Sequence, residues 1–413
     1  MTITFKETKI GRIPEEWEVV PINDICRVRR GASPRPIGDP SYFADSGRGW
    51  VRIEDVTSTY KYLRRTTQYL SPKGVSRSVS VNPGDLIMSI CATIGKPIIV
   101  DMEACIHDGF VWFNNISPEI NRDFFFYILQ FKQGYLSGQR QTGTQGNLNT
   151  GIVGKTLIPV PSIKEQNRIT EILSTVDETI EKTDAIMQEN QQLKKGLMQK
   201  LFVNKAFMVM RKAKEEKTDL KPVAIHELGE IVTGTTPSTT VREYYDNPEY
   251  MFIGPADIGQ SKRIVESANH ISKEGFAVSR QLPYNAVMVV GIGATIGKVG
   301  ITSEPCTTNQ QINTIIPNIK EFPTDYVYYL LAGISAYVSA FAGQTATPIM
   351  NKGEFGKMMT FIHPTFEERQ RIAQILSEVD AQIEKEKAFK SELKQLKKGL
   401  MQVLLTGKVR VKV

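Results

Sequence analysis

The sequence predicts an α+β chain: two mixed α/β domains and two long helices, made from one unit used twice. Three observations predict it. Glu165–Phe202 and Glu368–Leu405 align without a gap at a shift of 203 residues, with more than half of their positions identical, including the heptapeptide LKKGLMQ at Leu193–Gln199 and Leu396–Gln402. Weaker matches at shifts of 202 or 203 lie between them: Ala92–Lys96 with Ala294–Lys298, Gly31–Pro34 with Gly234–Pro237, and Gly154–Lys155 with Gly356–Lys357. Finally, the periodicity changes within each unit, from short strand-like runs to a heptad. The reading divides the chain into a first domain (1–162), a central helix (163–205), a linker and second domain (206–365), and a distal helix with its tail (366–413).

The domains come first in each unit. Strand-like runs fall at Asp85–Cys91, Pro97–Val100, Ala286–Val290 and Asn313–Ile316, after turn signals at Asn82–Asp85 and Pro283–Asn285. Each domain ends in an aromatic-rich helix, Asp123–Leu136 or Asp325–Phe341. The uncharged stretch Tyr326–Gly343 approaches the length of a membrane span but is rich in tyrosine and serine, so it reads as a packed soluble helix.

The helices follow. Ile169, Leu173, Val176, Ile180, Thr183, Met187, Leu197 and Leu201 form one apolar stripe. Ile372, Leu376, Val379, Ile383, Leu393, Leu400 and Leu404 form the other. Their steps alternate four and three, as in a coiled coil. Pro161 and Pro364 stand just upstream, and no proline interrupts either segment. At 1.5 Å per residue each makes a rod of roughly 60 Å. Two equal copies are expected to pair with each other, antiparallel about a pseudo-two-fold axis. Lys194, Lys397, Asn190, Glu386 and Lys390 fall in the seam. Either the pairing loosens there, or another protein docks there.

The residues offer no catalytic constellation. Gly291–Lys298 resembles a phosphate loop, but Val299 stands where Ser or Thr must hold magnesium, and the sister copy lacks the first glycines. A strand–turn is the expected structure. His107, His226, His270 and His363 are scattered, and Cys26, Cys91, Cys105 and Cys306 form no C-x-x-C pair. There is no G-x-S-x-G and no amino-methyltransferase tetrapeptide. The Glu-x-Lys at Glu215–Lys217 sits in a charged linker without upstream partners. No cofactor is expected on this chain, and a cytoplasmic location is expected.

Nucleic-acid binding fits better. The net charge is +7, and Arg27–Arg65 holds nine basic residues against four acidic, with Trp50, Tyr60 and Tyr62 interleaved. Arginine suits phosphate and guanine contacts. The candidates there are Arg27, Arg29, Arg30, Arg35, Arg52, Arg64 and Arg65, with Lys96 beyond them. In the second domain they are Arg242, Lys262, Arg263 and Lys298. Two loops rich in amides and hydroxyls, Gly138–Asn147 and Gly343–Pro348, add Arg140, Gln141, Gln145, Gln344 and Thr345; they read equally as base-reading loops or as ordinary polar loops. Residues 222–365 hold nine basic and twelve acidic side chains, so charge alone does not mark the second domain; its kinship with the first does.

A divergent domain, a Pro-x-x-x-Glu-Gln helix start, a heptad helix and LKKGLMQ, all present twice, resemble the specificity subunit of type I restriction-modification systems. Gly11–Trp17 looks like that family's opening signature. The resemblance implies two target recognition domains, each reading half of a split double-stranded DNA sequence, with the helices as an antiparallel spacer. It implies two modification subunits using S-adenosylmethionine, and restriction subunits using ATP and magnesium. The chain departs from the pattern at Glu368-Arg369, where Glu-Gln is typical, and at Asn204, where Gly is expected and Gly407 keeps it. The alternative is a non-catalytic coiled-coil scaffold that binds proteins only.

Overall fold

The computed structural model describes residues 4–139, 148–203, 220–341 and 349–412. The chain forms two compact units, Met1–Thr183 with Phe389–Val413, and Asp184–Ala388. This grouping cuts through both long helices, where the sequence reading kept each helix whole.

In the first unit a five-stranded sheet runs in the order Arg27–Arg30, Phe110–Asn114, Leu86–Ser89, Pro97–Val100, Tyr62–Leu63. In the second unit the order is Gly229–Thr233, Ile312–Pro317, Val287–Val290, Val299–Thr302, Arg263–Ile264. Each sheet is antiparallel except for its last pair, Tyr62–Leu63 on Pro97–Val100 and Arg263–Ile264 on Val299–Thr302. A second sheet accompanies each: five strands in the first unit, four in the second.

The central strands are apolar on both faces because both faces are covered. Leu86 and Met88 enter one core and Ile87 another; Val287 and Val289 enter one core, Met288 and Val290 another. That is the two-residue alternation of a strand, used twice over.

Four helices position the site. Helix α1 is Arg122–Phe131 and α3 is Thr324–Gly333. The long helices are α2, Ile163–Met198, and α4, Phe366–Leu404, with 36 and 39 residues. The aromatic helices read as continuous from sequence are each broken: α1 yields to Gln133–Gly138 and α3 to Ser335–Phe341. No helix among the described residues is long and apolar enough to cross a membrane.

Within the first unit, Asp177 and Glu165 of α2 meet Lys397 of α4 and Arg410 just beyond it, so the two segments run in opposite directions. Within the second, Lys194 of α2 meets Asp380 of α4, and Phe202 joins the core around Ile372. The direction is again opposite. Of the stripe, Ile169, Leu173, Ile180, Ile372, Leu376 and Leu404 are buried. Val176, Leu197, Leu201, Val379, Ile383 and Leu400 are half-buried. Of the two alternatives for the seam, looser pairing does not hold at the two lysines: each is bridged by an aspartate from the opposite helix.

Candidate nucleic-acid interface

The site begins with the network that fixes each of these five-stranded sheets to the helices. In the first unit the Lys61 ammonium reaches Asp123 (3.3 Å), the Tyr127 hydroxyl (3.2 Å) and the Ser174 hydroxyl (3.3 Å). Tyr127 donates to Asp177 Oδ2 at 2.7 Å, and Lys397 pairs with Asp177 Oδ1 at 2.7 Å. The second unit repeats it with Lys262, Asp325, Tyr329, Ser377, Asp380 and Lys194. Lys262 reaches Asp325 (2.9 Å), Tyr329 (3.0 Å) and Ser377 (2.8 Å). Tyr329 donates to Asp380 Oδ2 at 2.6 Å, and Lys194 pairs with Asp380 Oδ1 at 2.6 Å.

Burial pushes Lys397 and Lys262 below the usual lysine range, while the facing aspartates hold the charge on them. The same burial raises the Tyr127 and Tyr329 phenols. In the first unit two charged pairs and one phenol thus satisfy one another away from water, which is the condition for keeping buried charge, whereas in the second the Lys194–Asp380 pair stays partly exposed. Sequence reasoning missed the tyrosines, serines and aspartates of this network and gave its lysines other roles, though every one recurs at the repeat's shift of 201 to 203.

Two expectations are corrected here. Lys262, and Lys61 among the nine basic residues, are internal anchors, not free cations for phosphate. The interleaved aromatics are not stacking platforms either. Trp50 is fully buried, Tyr60 donates to Asp177, and Tyr62 donates to Asp123.

Three of the remaining arginines share one edge of the sheet, and Arg64 and Arg65 follow the strand at its opposite edge. Arg27, Arg29 and Arg30 are exposed on the edge strand, paired only on its other side by Phe110–Asn114. Arg30 donates to the Asp108 carbonyl at 2.7 Å, and Arg35 pairs with the Asp108 carboxylate at 3.2 Å. Ser33 also donates to that carboxylate (2.5 Å), which holds it below the usual range. Arg52 is half-buried and stands near His107. His107 falls to about 4, through burial first and Arg52 second. Its Nδ1 accepts the Gly109 N–H at 2.8 Å, so the ring is held neutral. Arg64 and Arg65 are exposed, with Arg64 on Asp101 at 3.1 Å.

Lys96 is half-buried and donates to the Thr57 carbonyl at 3.0 Å. It closes a turn in which Ala92 and Gly95 have positive φ, followed by the strand Pro97–Val100. A phosphate loop is followed by a helix, so the strand–turn reading holds. In the second unit Arg242 and Lys298 are exposed, and Arg263 donates to Asn285 at 2.9 Å. Arg140, Gln141, Gln145, Gln344 and Thr345 lie outside the described residues, as do Glu215–Lys217 and Asn204. The chain returns at Leu148, whose N–H bonds to the Ile90 carbonyl at 3.1 Å, and at Ile349, where the next N–H, of Met350, bonds to the Gly291 carbonyl at 2.8 Å. Both returns adjoin the start of the positive-φ turns. Among the described residues no cluster of His, Cys, Asp and Glu could hold a metal ion.

One sheet order, built twice and fixed to the long helices through the same anchor, defines a class of paired modules on a helical frame. Residues 14–194 and 217–395 each match the type I restriction modification DNA specificity domain, and the chain belongs to that family. It is 25% identical to the type I restriction enzyme MjaVIII specificity subunit of Methanocaldococcus jannaschii, over 99% of this chain and 96% of that one. It is 34% identical to the HindI specificity subunit of Haemophilus influenzae over 33% of this chain and 30% of that one. In fold it is similar to the S subunit of a type I restriction-modification system from M. genitalium, with a TM-score of 0.62, 15% identity, and coverage of 98% of this chain and 99% of that chain.

Proposed function

We propose that this chain is the sequence-reading, non-catalytic subunit of a type I restriction-modification complex in the cytoplasm. Each domain reads one half of a split duplex target. The observation that carries this is the doubling: one sheet order and one anchor network, each within its own match to the DNA specificity domain. Arg27, Arg29, Arg30, Arg35, Arg52, Arg64 and Arg65 offer the first half-site its phosphate and base contacts. Arg242, Arg263 and Lys298 serve the second, and the amide- and hydroxyl-rich stretches Gly138–Asn147 and Gly343–Pro348 are assigned one to each half-site, the first and the second respectively.

Modification and restriction subunits dock on the helices, and S-adenosylmethionine, ATP and magnesium belong to them. The buried stripe is not available for docking. Ile186 and Leu193 on α2, and Phe389 and Leu396 on α4, are exposed apolar side chains at equivalent positions, and they suit a partner helix. Replacing residues 222–365 with a relative's domain is expected to change one half of the methylated sequence and leave the other, read by methylome mapping. A change in both halves, or in neither, overturns the reading, and methyl transfer by the purified chain alone overturns its non-catalytic part.

A further inference from the structure

The two Lys–Asp pairs differ in what covers them. Strand register makes Tyr62 equivalent to Arg263, opposite Ile99 and Ile301. Tyr60 therefore corresponds to Ser261. The matched hydroxyls of Tyr127 and Tyr329 likewise make Gln130 correspond to Ala332. In the first unit Tyr60 donates to Asp177 Oδ1 at 2.8 Å and accepts from Lys397 at 3.1 Å, with its ring 4.8 Å from the ammonium. Gln130 takes a further Lys397 proton at 2.8 Å.

Ser261 and Ala332 supply neither group. The Ser261 hydroxyl turns away to the Arg263 carbonyl at 2.6 Å. The Lys194 and Asp380 side chains are 24% and 18% exposed, against 6% and 4% for Lys397 and Asp177. Above them opens a cleft of about 1190 Å³, lined by Lys194, Ser261, Tyr328, Ala332, Ser377 and Asp380 among others. Asp380 Oδ2 takes the Tyr329 hydroxyl and Oδ1 takes Lys194. Among the described residues none takes the third place, which Tyr60 fills on Asp177.

We propose that this cleft binds a tyrosine side chain of another polypeptide. The phenol donates to Asp380 Oδ1 and accepts from Lys194, and its ring lies against that ammonium. The first unit displays this arrangement with its own Tyr60. This volume exceeds the ~300–1,000 Å³ usual for ligand pockets, is far more than one ring needs and leaves room for the flanking peptide. Phenylalanine would leave the pair unsatisfied, so the hydroxyl decides selectivity.

The test uses the full chain, with N-acetyltyrosinamide, N-acetylphenylalaninamide and p-cresol as probes, followed by saturation-transfer NMR. The tyrosine amide is expected to bind at least about tenfold more tightly than the phenylalanine amide, about 1.4 kcal/mol. Ser261→Tyr and Ala332→Gln, each filling the cleft from within, are expected to abolish that binding while the chain still melts as wild type or higher. No binding, equal binding of the two amides, or binding that survives in both folded variants overturns the proposal. Binding of p-cresol without the tyrosine amide also overturns it, because the site would then take a free phenol. None of these outcomes depends on DNA recognition, which the domain exchange tests separately.

Discussion

The first unit and the second share a sheet order and an anchor network, yet they close the network differently. In the first, Tyr60 and Gln130 seal Lys397 and Asp177, and a second clamp lies nearby. Glu165, 2% exposed, accepts from the Trp17 indole at 3.0 Å and from both Nε and Nη2 of Arg410 at 2.7 and 3.0 Å. This clamp gathers an early hairpin, the start of α2 and the C-terminal tail. Its counterpart Glu368 is exposed. The neighbouring position converges instead. The Gln166 amide donates to the carbonyls of Glu119 and Pro161, and Arg369 donates to those of Glu321 and Pro364. A departure from the family's Glu-Gln thus keeps the same bonds with a different side chain. The inner anchor is common to both units; the residues that exclude water from it have diverged.

The largest expected effect tests that sealing. Lys397→Met strands a buried Asp177 and is expected to cost about 3–5 kcal/mol. Lys194→Met removes a pair that already meets solvent, and its cost should fall nearer the ~1 kcal/mol of exposed pairs. Chemical denaturation of the two variants decides it, and equal losses would erase the distinction between the units.

Acid should also separate them. His107 lies at about 4 in the folded chain, below the ordinary unfolded value near 6.5. The unfolded chain therefore binds the extra proton first. The contribution is whole above pH 6.5 and is lost as pH falls towards 4, a change of about 3 kcal/mol at most. Its equivalent in the second unit is Asn309, which does not titrate: the Gly31 Cβ position meets the Ile106 and His107 carbonyls, and that of Gly234 meets those of Thr308 and Asn309. Hydrogen exchange between pH 7 and 4 should show the first unit loosening, and His107→Asn should remove the difference.

A third pair of changes should show no difference. A Cβ at Gly31 or at Gly234 would overlap those backbone carbonyls, which cannot move as a flexible side chain could. Each Gly→Ala is expected to cost about 1–3 kcal/mol, read from thermal melts. A neutral result at either site would mean that the two edge strands are not held alike.

The smallest effect on stability, within about 0.5 kcal/mol, is expected for Arg29→Ala and Arg30→Ala on the exposed edge. Binding is where they should register. Loss of a phosphate contact weakens binding across sequences and lowers the salt slope by about one. Unchanged affinity and slope would make this edge a solvated face.

The repeat, the two long helices, the mixed domains and the family could all be read from the chain, because each is written in local order. A heptad is a spacing of a few residues, and two copies of LKKGLMQ declare themselves at a fixed shift. The strands also showed, since Leu86–Ser89 and Val287–Val290 are apolar runs behind turn residues. What only the tertiary structure decided is which polar residues are buried, and against what. Tyr60 and Asp177 are 117 positions apart, and Lys397 lies 337 from Tyr60. Nothing local distinguishes Lys61 and Lys262 as anchors from Arg64 and Arg65 at the surface. A charge becomes structural only when distant carboxylates and phenols replace its water, and that replacement is a property of packing, not of spacing.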